Sequence, residues 1–414
     1  MSLESKARFQ NKIKEMRDFF ISYYKEEPVF LFSSPGRIEL IGNHTDHNHG
    51  KVIVSTLDLS ILALVKKTDD NFFVYKTDGF NEMRIDLNSL ELRKNEYYQS
   101  IGLIRGVLFY LKEAGYKLGG VHITSSTNIF KGAGVSSSAA FEILIGKIIS
   151  YCYNDDKISS IELAKIGQNA ENNYFNKPCG LLDQCAISLG GVNYIDFEDE
   201  NNPKIINIKC YLKKYDIVIT NTLESHSSLS SYYAKIKNDM AMLSSYFQKK
   251  YLREVEYQDY LNCREDLISK YSLDVYLRGE HFFEENIRVE KALEALKNHD
   301  EDLFVKIIDE SGESSFNKLK NCYVKDLNEN LPMGIMLSKS INLEGGTRVH
   351  GGGFAGTFIS LVKKEQTQDY LKQMRKKYGR NNVRKVTLSK FGTRCVSLVE
   401  DILKKEYLDE PKRN

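Results

Sequence analysis

The spacing of hydrophobic positions changes several times along this chain, and each change marks an expected element. Residues 29–33 (VFLFS) and 52–65 (VIVSTLDLSILALV) are dense in β-branched and apolar side chains, which predicts strands. Between 98 and 116 (YQSIGLIRGVLFYLKEAGY) the apolar period becomes helical, with Gly115 at the stop. In GGVHITSST, Val121 and Ile123 alternate with His122 and Thr124, the pattern of a strand. That segment runs directly into a glycine and serine loop and then a helix beginning near Ser137. A further helix is expected over 160–176, where Ser159 and Glu162 have capping-box spacing. SLGGVNYIDF then resumes strand character, 228–330 is helical and charged, and near 345 GGTRVHGGGFAGTFISLV brings a second glycine cluster leading into a strand.

With 414 residues and 42% hydrophobic content the chain is too long for one core and well supplied for two. The boundary is expected near 210, giving units of 1–210 and 211–414. Lys plus Arg (58) nearly balances Asp plus Glu (56), so the formal charge of +2 provides no global attraction to nucleic acid or an anionic membrane, and any bound anion must be held locally. Seven cysteines lie scattered at 152, 179, 185, 210, 263, 322 and 395, without the two-residue spacing of zinc sites, and read as reduced thiols. The N-terminal stretch MSLESKARFQNKIKEMRDFF has an amphipathic helical pattern and no apolar signal core, and no stretch approaches the length of a membrane span. The expected location is the cytoplasm. The last residues, YLDEPKRN, look dispensable.

Three stretches carry candidate chemistry. The first is GAGVSSSAA, placed where a strand gives way to a helix. A helix N-terminus offers unpaired backbone N–H groups to an anion if the loop before it allows close approach. Gly132 and Gly134 allow it, Ala133 and Val135 lie between and beside them, and Ser136, Ser137 and Ser138 add hydroxyls. One serine would suffice as a plain helix cap. The Gly-Lys-Ser/Thr ending of a Walker loop is missing, as is the third Gly of a dinucleotide fingerprint.

The second stretch, AENNYFNKPCGLLDQCAIS, holds Glu171 and Asp183. On a continuing helix, Ala164, Gly167 and Glu171 share a face, so the acid points where small residues let another group approach; Mg²⁺ bridging nucleotide phosphates is a suitable partner. Asp183 follows Pro178 and Gly180 at a turn into a helix, where a first-turn or capping role is the plain alternative.

The third stretch, PGRIELIGNHTDHNHG (35–50), packs an Arg, two acids, three His, two Asn and three Gly into sixteen positions. A zinc site does not suit the His spacing. A solvated polar turn and a pocket for a polyhydroxylated ligand both remain open, the second because sugars need directed donors and acceptors together.

GAGVSSSAA resembles the ATP loop of the GHMP kinases, although Phe130 stands where that family usually has Pro. The third stretch resembles the signature of the galactokinase branch, Gly-Arg-x-Asn-x-Ile-Gly-Glu-His-x-Asp-Tyr. It matches at Gly36, Arg37, Ile41, Gly42, His44 and Asp46, and departs at Glu39 for Asn, Asn43 for Glu and His47 for Tyr. CGLLDQ matches the branch's base-bearing segment. SSYYAKIKNDM places Tyr233 at its sugar-contacting Tyr, with Ile236 and Lys237 replacing the usual arginines, and Arg348–Thr357 (RVHGGGFAGT) matches the third motif.

The resemblance implies an α+β chain of the GHMP kinase fold: an N-terminal ribosomal protein S5 domain 2-like α/β domain and a C-terminal ferredoxin-like α+β domain, with the active site in the cleft between them. It implies ATP and Mg²⁺ as cofactors and phosphorylation of the anomeric 1-hydroxyl of galactose. Asp183 would take the hydroxyl proton with Arg37 beside it. Glu171 with Ser137 or Ser138 would hold Mg²⁺, and residues 132–138 would cradle the phosphates. Asp46 would grip the 3- and 4-hydroxyls, Asn43 and His44 would lie near the 6-hydroxyl, and Tyr233 would complete the sugar pocket. Asn43 also admits a rival acceptor, galacturonate, because an amide can donate to a carboxylate; N-acetylgalactosamine, arabinose and a non-catalytic sugar sensor are further alternatives. The expected state is a monomer or weak homodimer with no nucleic-acid or membrane partner.

Overall fold

The computed structural model describes residues 3–130, 134–210, 212–223, 230–324, 329–354 and 356–404. The strands among them are β1 (Phe30–Ile41), β2 (Lys51–Lys67), β3 (Phe72–Thr77), β4 (Met83–Asp86), β5 (Val121–Thr127), β6 (Val192–Asp196), β7 (Lys204–Ile208), β8 (Tyr215–Asn221), β9 (Gly346–Val349), β10 (Thr357–Lys363), β11 (Val383–Val386), β12 (Leu388–Ser389) and β13 (Arg394–Leu398). The β-branched run expected over 52–65 becomes β2, the spine of a nine-stranded sheet. Its main path is β13-β1-β2-β5-β3-β4, with β6 and β12 also pairing with β2 and β7 pairing with β6. Among these pairings β3 and β5 run parallel and the others antiparallel. A second, antiparallel sheet has the order β11-β8-β10-β9.

One face of the first sheet is covered by helices Ser100–Glu113 and Ser137–Tyr153, whose apolar stripes bury Ile104, Leu108, Ile145 and Ile149 against Phe32 and Ile123. A second core joins the sheets. Ile38, Leu40 and Ile53 from β1 and β2 pack with Ile217 and Ile359 of the second sheet and with Leu293 of helix Leu273–Lys297. The two halves are therefore welded along β1, the strand that carries Arg37.

The polar stretch at 35–50 is part strand and part loop: β1 runs on through Pro35 to Ile41, with a register shift between Pro35 and Arg37 where proline has no N–H to give the ladder. Only 42–50 connects to β2. The expected boundary at 210 falls between β7 and β8, yet β12 and β13 return to the first sheet, so 211–414 is not one contiguous unit. Antiparallel pairing of β13 with β1 closes an edge that would otherwise carry unpaired backbone groups.

The expected helix over 160–176 is α-helical at Ser160–Asn169, capped by Ser159 accepting from the Glu162 N–H, and then widens into a π turn at Ala170–Tyr174. Such a turn inserts a residue into the helical repeat and re-aims the side chains within it; here one of them is Glu171. Gly115, with φ +83°, ends the helix before β5 as the sequence suggested.

Candidate active site

Arg37 leaves β1 beside the serine loop because residue 36 is glycine: a Cβ there would lie 2.7 Å from Val135 Cγ2. The two segments are bonded by the Arg37 N–H to the Val135 carbonyl at 3.0 Å. The guanidinium then donates from Nη1 to the Gly134 carbonyl at 2.7 Å and, in a fork, from Nε to Asp183 Oδ1 at 2.7 Å and from Nη2 to Asp183 Oδ2 at 3.0 Å. Gly134 (φ +69°) and Ser136 (φ +56°) take left-handed conformations before the helix opens at Ser137. Ser136 does not cap that helix; its hydroxyl donates to Asp183 Oδ2 instead. Gly132 and Ala133 lie outside the described residues.

Asp183 sits in the first turn of helix Leu182–Leu189. Burial raises the energy of its ionised form, but the Arg37 charge and the bonds from Arg37 and Ser136 outweigh burial and hold the carboxyl below the usual carboxylate range. A carboxylate has about four acceptor positions. Arg37 and Ser136 fill one on Oδ1 and two on Oδ2, leaving one on Oδ1 open, and the side chain is 30% exposed.

The π turn brings Glu171 against the same helix start. Ser138 Oγ donates to Glu171 Oε1 at 2.9 Å, Lys177 Nζ donates to the same oxygen at 2.8 Å, and Gln184 Nε2 donates to Oε2 at 2.9 Å. Carboxylate plus hydroxyl is a hard-oxygen set that suits Mg²⁺, and the lysine ammonium already stands where a cation is wanted. Of the two serines considered, Ser138 is the one beside Glu171, while Ser137 is exposed at the helix start. Gly167 makes room behind this pair, since a Cβ there would come within 3.3 Å of Glu142 Oε2. Glu142, missed in the sequence, is buried and accepts from Gln184 Nε2 at 3.0 Å; burial first, then the Glu171 charge, pushes it well above the carboxylate range.

The loop 42–48 is arranged differently. Asp46 packs against the segment that leads into Asp183, and Gly180 is required for it, because a Cβ at 180 would lie 2.0 Å from Asp46 Oδ2. Burial, then the carboxylates of Glu39 and Asp183, raise Asp46 to about 7. Asn43, by contrast, is 0% exposed. Its Nδ2 donates to Glu39 Oε1 at 3.1 Å and the Gly351 carbonyl at 2.7 Å; its Oδ1 accepts from Asn321 Nδ2 at 2.7 Å and Ser315 Oγ at 3.3 Å. All four positions of the amide are filled, so in this structure Asn43 does not face a ligand as the sequence reading expected. The exchange of acid and amide explains why: the carboxylate has moved to Glu39, which pairs with buried Arg348 at 2.6 Å, and Asn43 bridges it to the glycine turn.

That turn accepts three donors in succession. Asn43 Nδ2 reaches the Gly351 carbonyl, His44 Nε2 the Gly352 carbonyl at 2.9 Å, and Tyr233 Oη the Gly353 carbonyl at 2.8 Å. Glycine is needed at 352, where a Cβ would lie 2.2 Å from the Tyr233 ring.

Residues outside the recognised motifs hold this loop in place. On helix Leu273–Lys297, Glu285 Oε1 accepts the backbone N–H groups of Gly42 (3.1 Å) and Asn43 (3.3 Å), and His281 Nε2 donates to the Asn43 carbonyl at 3.0 Å. Although burial opposes its charge, Arg288 and the surrounding donors bring Glu285 down to about 2. The available signal was an acid and an imidazole four residues apart on the buried stripe of that helix. His350 contacts Arg37 Nη1 through Nε2 at 3.2 Å and is kept neutral by burial and by the charges of Arg37 and Arg348.

Comparison with known proteins shows the family and the fold. The family profile "Galactokinase galactose-binding signature" matches residues 18–67, and "GHMP kinases N terminal domain" matches 102–191. The chain is 30% identical over 380 residues to a galactokinase of Clostridium tetani, covering 91% of this chain and 94% of that one. It is 30% identical over 379 residues to a galactokinase of Streptococcus thermophilus, covering 88% and 93%. Among solved structures, Lactococcus lactis galactokinase complexed with galactose superposes with a TM-score of 0.80 at 24% identity, covering 93% of this chain and 100% of that one. Methanococcus jannaschii mevalonate kinase superposes with a TM-score of 0.61 at 20% identity, covering 87% and 98%. The fold is that of the GHMP kinases.

Proposed function

The chain belongs to the galactokinase family, and on that premise we propose that its cleft transfers the γ-phosphoryl group of ATP to the anomeric 1-hydroxyl of galactose, giving galactose 1-phosphate and ADP. The observation that carries this reading is the Arg37–Asp183 fork, bonded through the Gly134 carbonyl and Ser136 to the turn that starts the serine-loop helix. It joins a proton acceptor, a permanent cation and a phosphate-binding helix start in one unit.

The open acceptor position on Asp183 Oδ1 orients the attacking hydroxyl. Because Asp183 is a weak base, it takes the proton late, after the forming O–P bond has made that oxygen acidic, as a loose phosphoryl transition state allows. Arg37 keeps Asp183 ionised and offsets charge on the transferring group. The N–H groups at the head of helix Ser137–Tyr153 receive phosphate oxygens, with Gly134, Val135 and Ser136 leading into it. Ser138 and Glu171 would hold Mg²⁺, and the Lys177 ammonium now on Glu171 Oε1 marks that oxygen as a cation-accepting position; the ion would supply charge neutralisation to the nucleotide phosphates. Asp46 accepts sugar hydroxyls, while Asn43, His44 and Tyr233 form the wall behind them.

The geometry does not favour galacturonate, since the amide that would greet its carboxylate is fully bonded. The intact Ser136–Ser138 run and ionised Asp183 favour an enzyme over a sensor. No helix among the described residues is long and apolar enough to cross a membrane. All seven cysteines are free thiols, which accords with a reducing compartment such as the cytoplasm. A coupled ADP-release assay over a panel of hexoses, pentoses and uronates, with Asp183→Ala as control, tests the reading. Turnover on galactose that the control lacks is expected; wild type no faster than the control on every sugar would point to the sensor.

A further inference from the structure

The third departure from the sugar signature, His47, is part of a hydrogen-bond chain whose direction is determined at every link. The chain starts outside the site, where the Leu252 backbone N–H donates to Asn48 Oδ1 at 3.2 Å. That bond orients the amide, so Nδ2 of Asn48 faces His47 Nδ1 at 2.9 Å and must be the donor. With Nδ1 accepting, the His47 proton resides on Nε2, which lies 3.3 Å from His44 Nδ1. His44 Nδ1 then accepts, and its own proton on Nε2 donates to the Gly352 carbonyl at 2.9 Å, an atom that can only accept. Reversing the imidazole–imidazole link would set a ring lone pair against that carbonyl oxygen.

We propose that His47 is a positioning residue for the phosphorylation of galactose: with Asn48 it fixes His44 as the neutral Nε2–H tautomer and so fastens the sugar loop to the third glycine motif. The assignment rests on the galactokinase reading for its substrate, but the chain itself involves only this protein's atoms.

Two further observations support it. Both rings are kept neutral, first by burial; for His44 the nearby Arg278 and Arg348 charges add to this, and for His47 the Lys237 charge does so. His44 has a left-handed backbone (φ +57°), an uncommon conformation that the surrounding bonds must maintain. If His47 lost its donor, His44 would be free to change tautomer, and a ring with its proton on Nδ1 could no longer hold the Gly352 carbonyl. The galactose pocket would loosen while the phosphate loop, on the other side of Arg37, would not.

The test uses the full-length protein labelled with ¹⁵N, with ring resonances assigned through His44→Gln and His47→Gln. Long-range ¹H–¹⁵N correlation at neutral pH should show both rings as Nε2–H tautomers. His47→Phe, which keeps the ring but removes both nitrogens, should release His44 into a tautomer mixture and raise KM for galactose about tenfold, a change of ~1.4 kcal/mol, with kcat and KM for ATP little changed. His47→Gln restores an acceptor and a donor at similar positions and should recover most of the galactose affinity. A charged or Nδ1–H His44 in the wild type overturns the proposal, as does an unaltered galactose KM in folded His47→Phe. The expected tautomers without turnover of galactose would instead retain the hydrogen-bond chain and remove the substrate assignment.

Discussion

Around Asp183 the polar groups are charged and partly open to the cleft, whereas around Asn43 they are largely neutral and closed on one another. On the transfer side, Arg37, Asp183, Glu171 and Lys177 form short ion pairs with acceptor positions still free. On the sugar side, amides, imidazoles and a tyrosine hydroxyl donate to the carbonyls of Gly351–Gly353, and buried Glu39–Arg348 and Glu285–Arg288 pairs brace them from behind. Under the proposed function the difference reflects two tasks. Phosphoryl transfer needs charges that respond to charge developing on the reactants. Discriminating a neutral polyol needs a stiff wall of defined shape, with few groups left to bind it.

The comparison can be broken most directly at Asp183. Asp183→Asn preserves size and removes the proton acceptor, so kcat should fall by about 10² to 10⁴ while the protein stays folded; coupled turnover together with a melting curve checks both. Glu285→Ala attacks the opposite side. It deletes the acceptor of two backbone N–H groups and leaves Arg288 without its closest counter-charge, so stability should drop by about 3–5 kcal/mol in urea denaturation, with the galactose site lost first. Galacturonate probes the closed wall. Its carboxylate, standing in place of the 6-hydroxyl, would meet the wall of Asn43 and His44 beside Asp46 with no donor released by Asn43, and its kcat/KM should lie about a hundredfold below that of galactose, the size expected for an uncompensated like-charge contact.

A gentler test comes from pH. Asp46, raised to about 7 in the folded chain, gains protons as pH falls through neutrality and loses its value as an acceptor for sugar hydroxyls. KM for galactose should therefore rise below pH 7, approaching tenfold per unit, while Asp183, held below the ordinary carboxylate range, stays ionised and kcat changes little. For folding the sign is opposite: between the unfolded carboxylate value and about 7 the native state binds more protons at Asp46, so this group's contribution to stability falls as pH rises through that window. Measuring galactose KM and melting temperature over the same pH series separates the two effects.

Much of this site was legible because its parts are local. GAGVSSSAA announces a helix start by backbone chemistry alone, and the apolar runs around it mark β5 and the following helix correctly to within a residue or two. Gly36, Gly134 and Gly180 each stand where another chain segment passes too close for a Cβ. Other features were hidden because they depend on partners far away in sequence. The region 228–330 read only as helical and charged, yet within it His281 and Glu285 of helix Leu273–Lys297 bond residues 42 and 43, more than two hundred positions earlier. The return of β12 and β13 to the first sheet is equally non-local, since short strands carry too little pattern to reveal which sheet they join.

From the amino-acid order alone follow most of the elements, the helix start after the serine loop, the glycine-dependent turns and the set of candidate side chains, because each depends on a few neighbouring residues and on backbone sterics. Only the folded chain decides which of those side chains are available. Asn43, His44 and Ser136 have the same hydrogen-bonding capacity in any sequence; in three dimensions, buried carbonyls and carboxylates claim that capacity, since an unpaired polar group away from water is costlier than one committed to the protein. Asp183 and Asp46 also begin as identical carboxylic acids. The bidentate arginine on one and the neighbouring acids beside the other set them apart, and that placement is a property of tertiary structure.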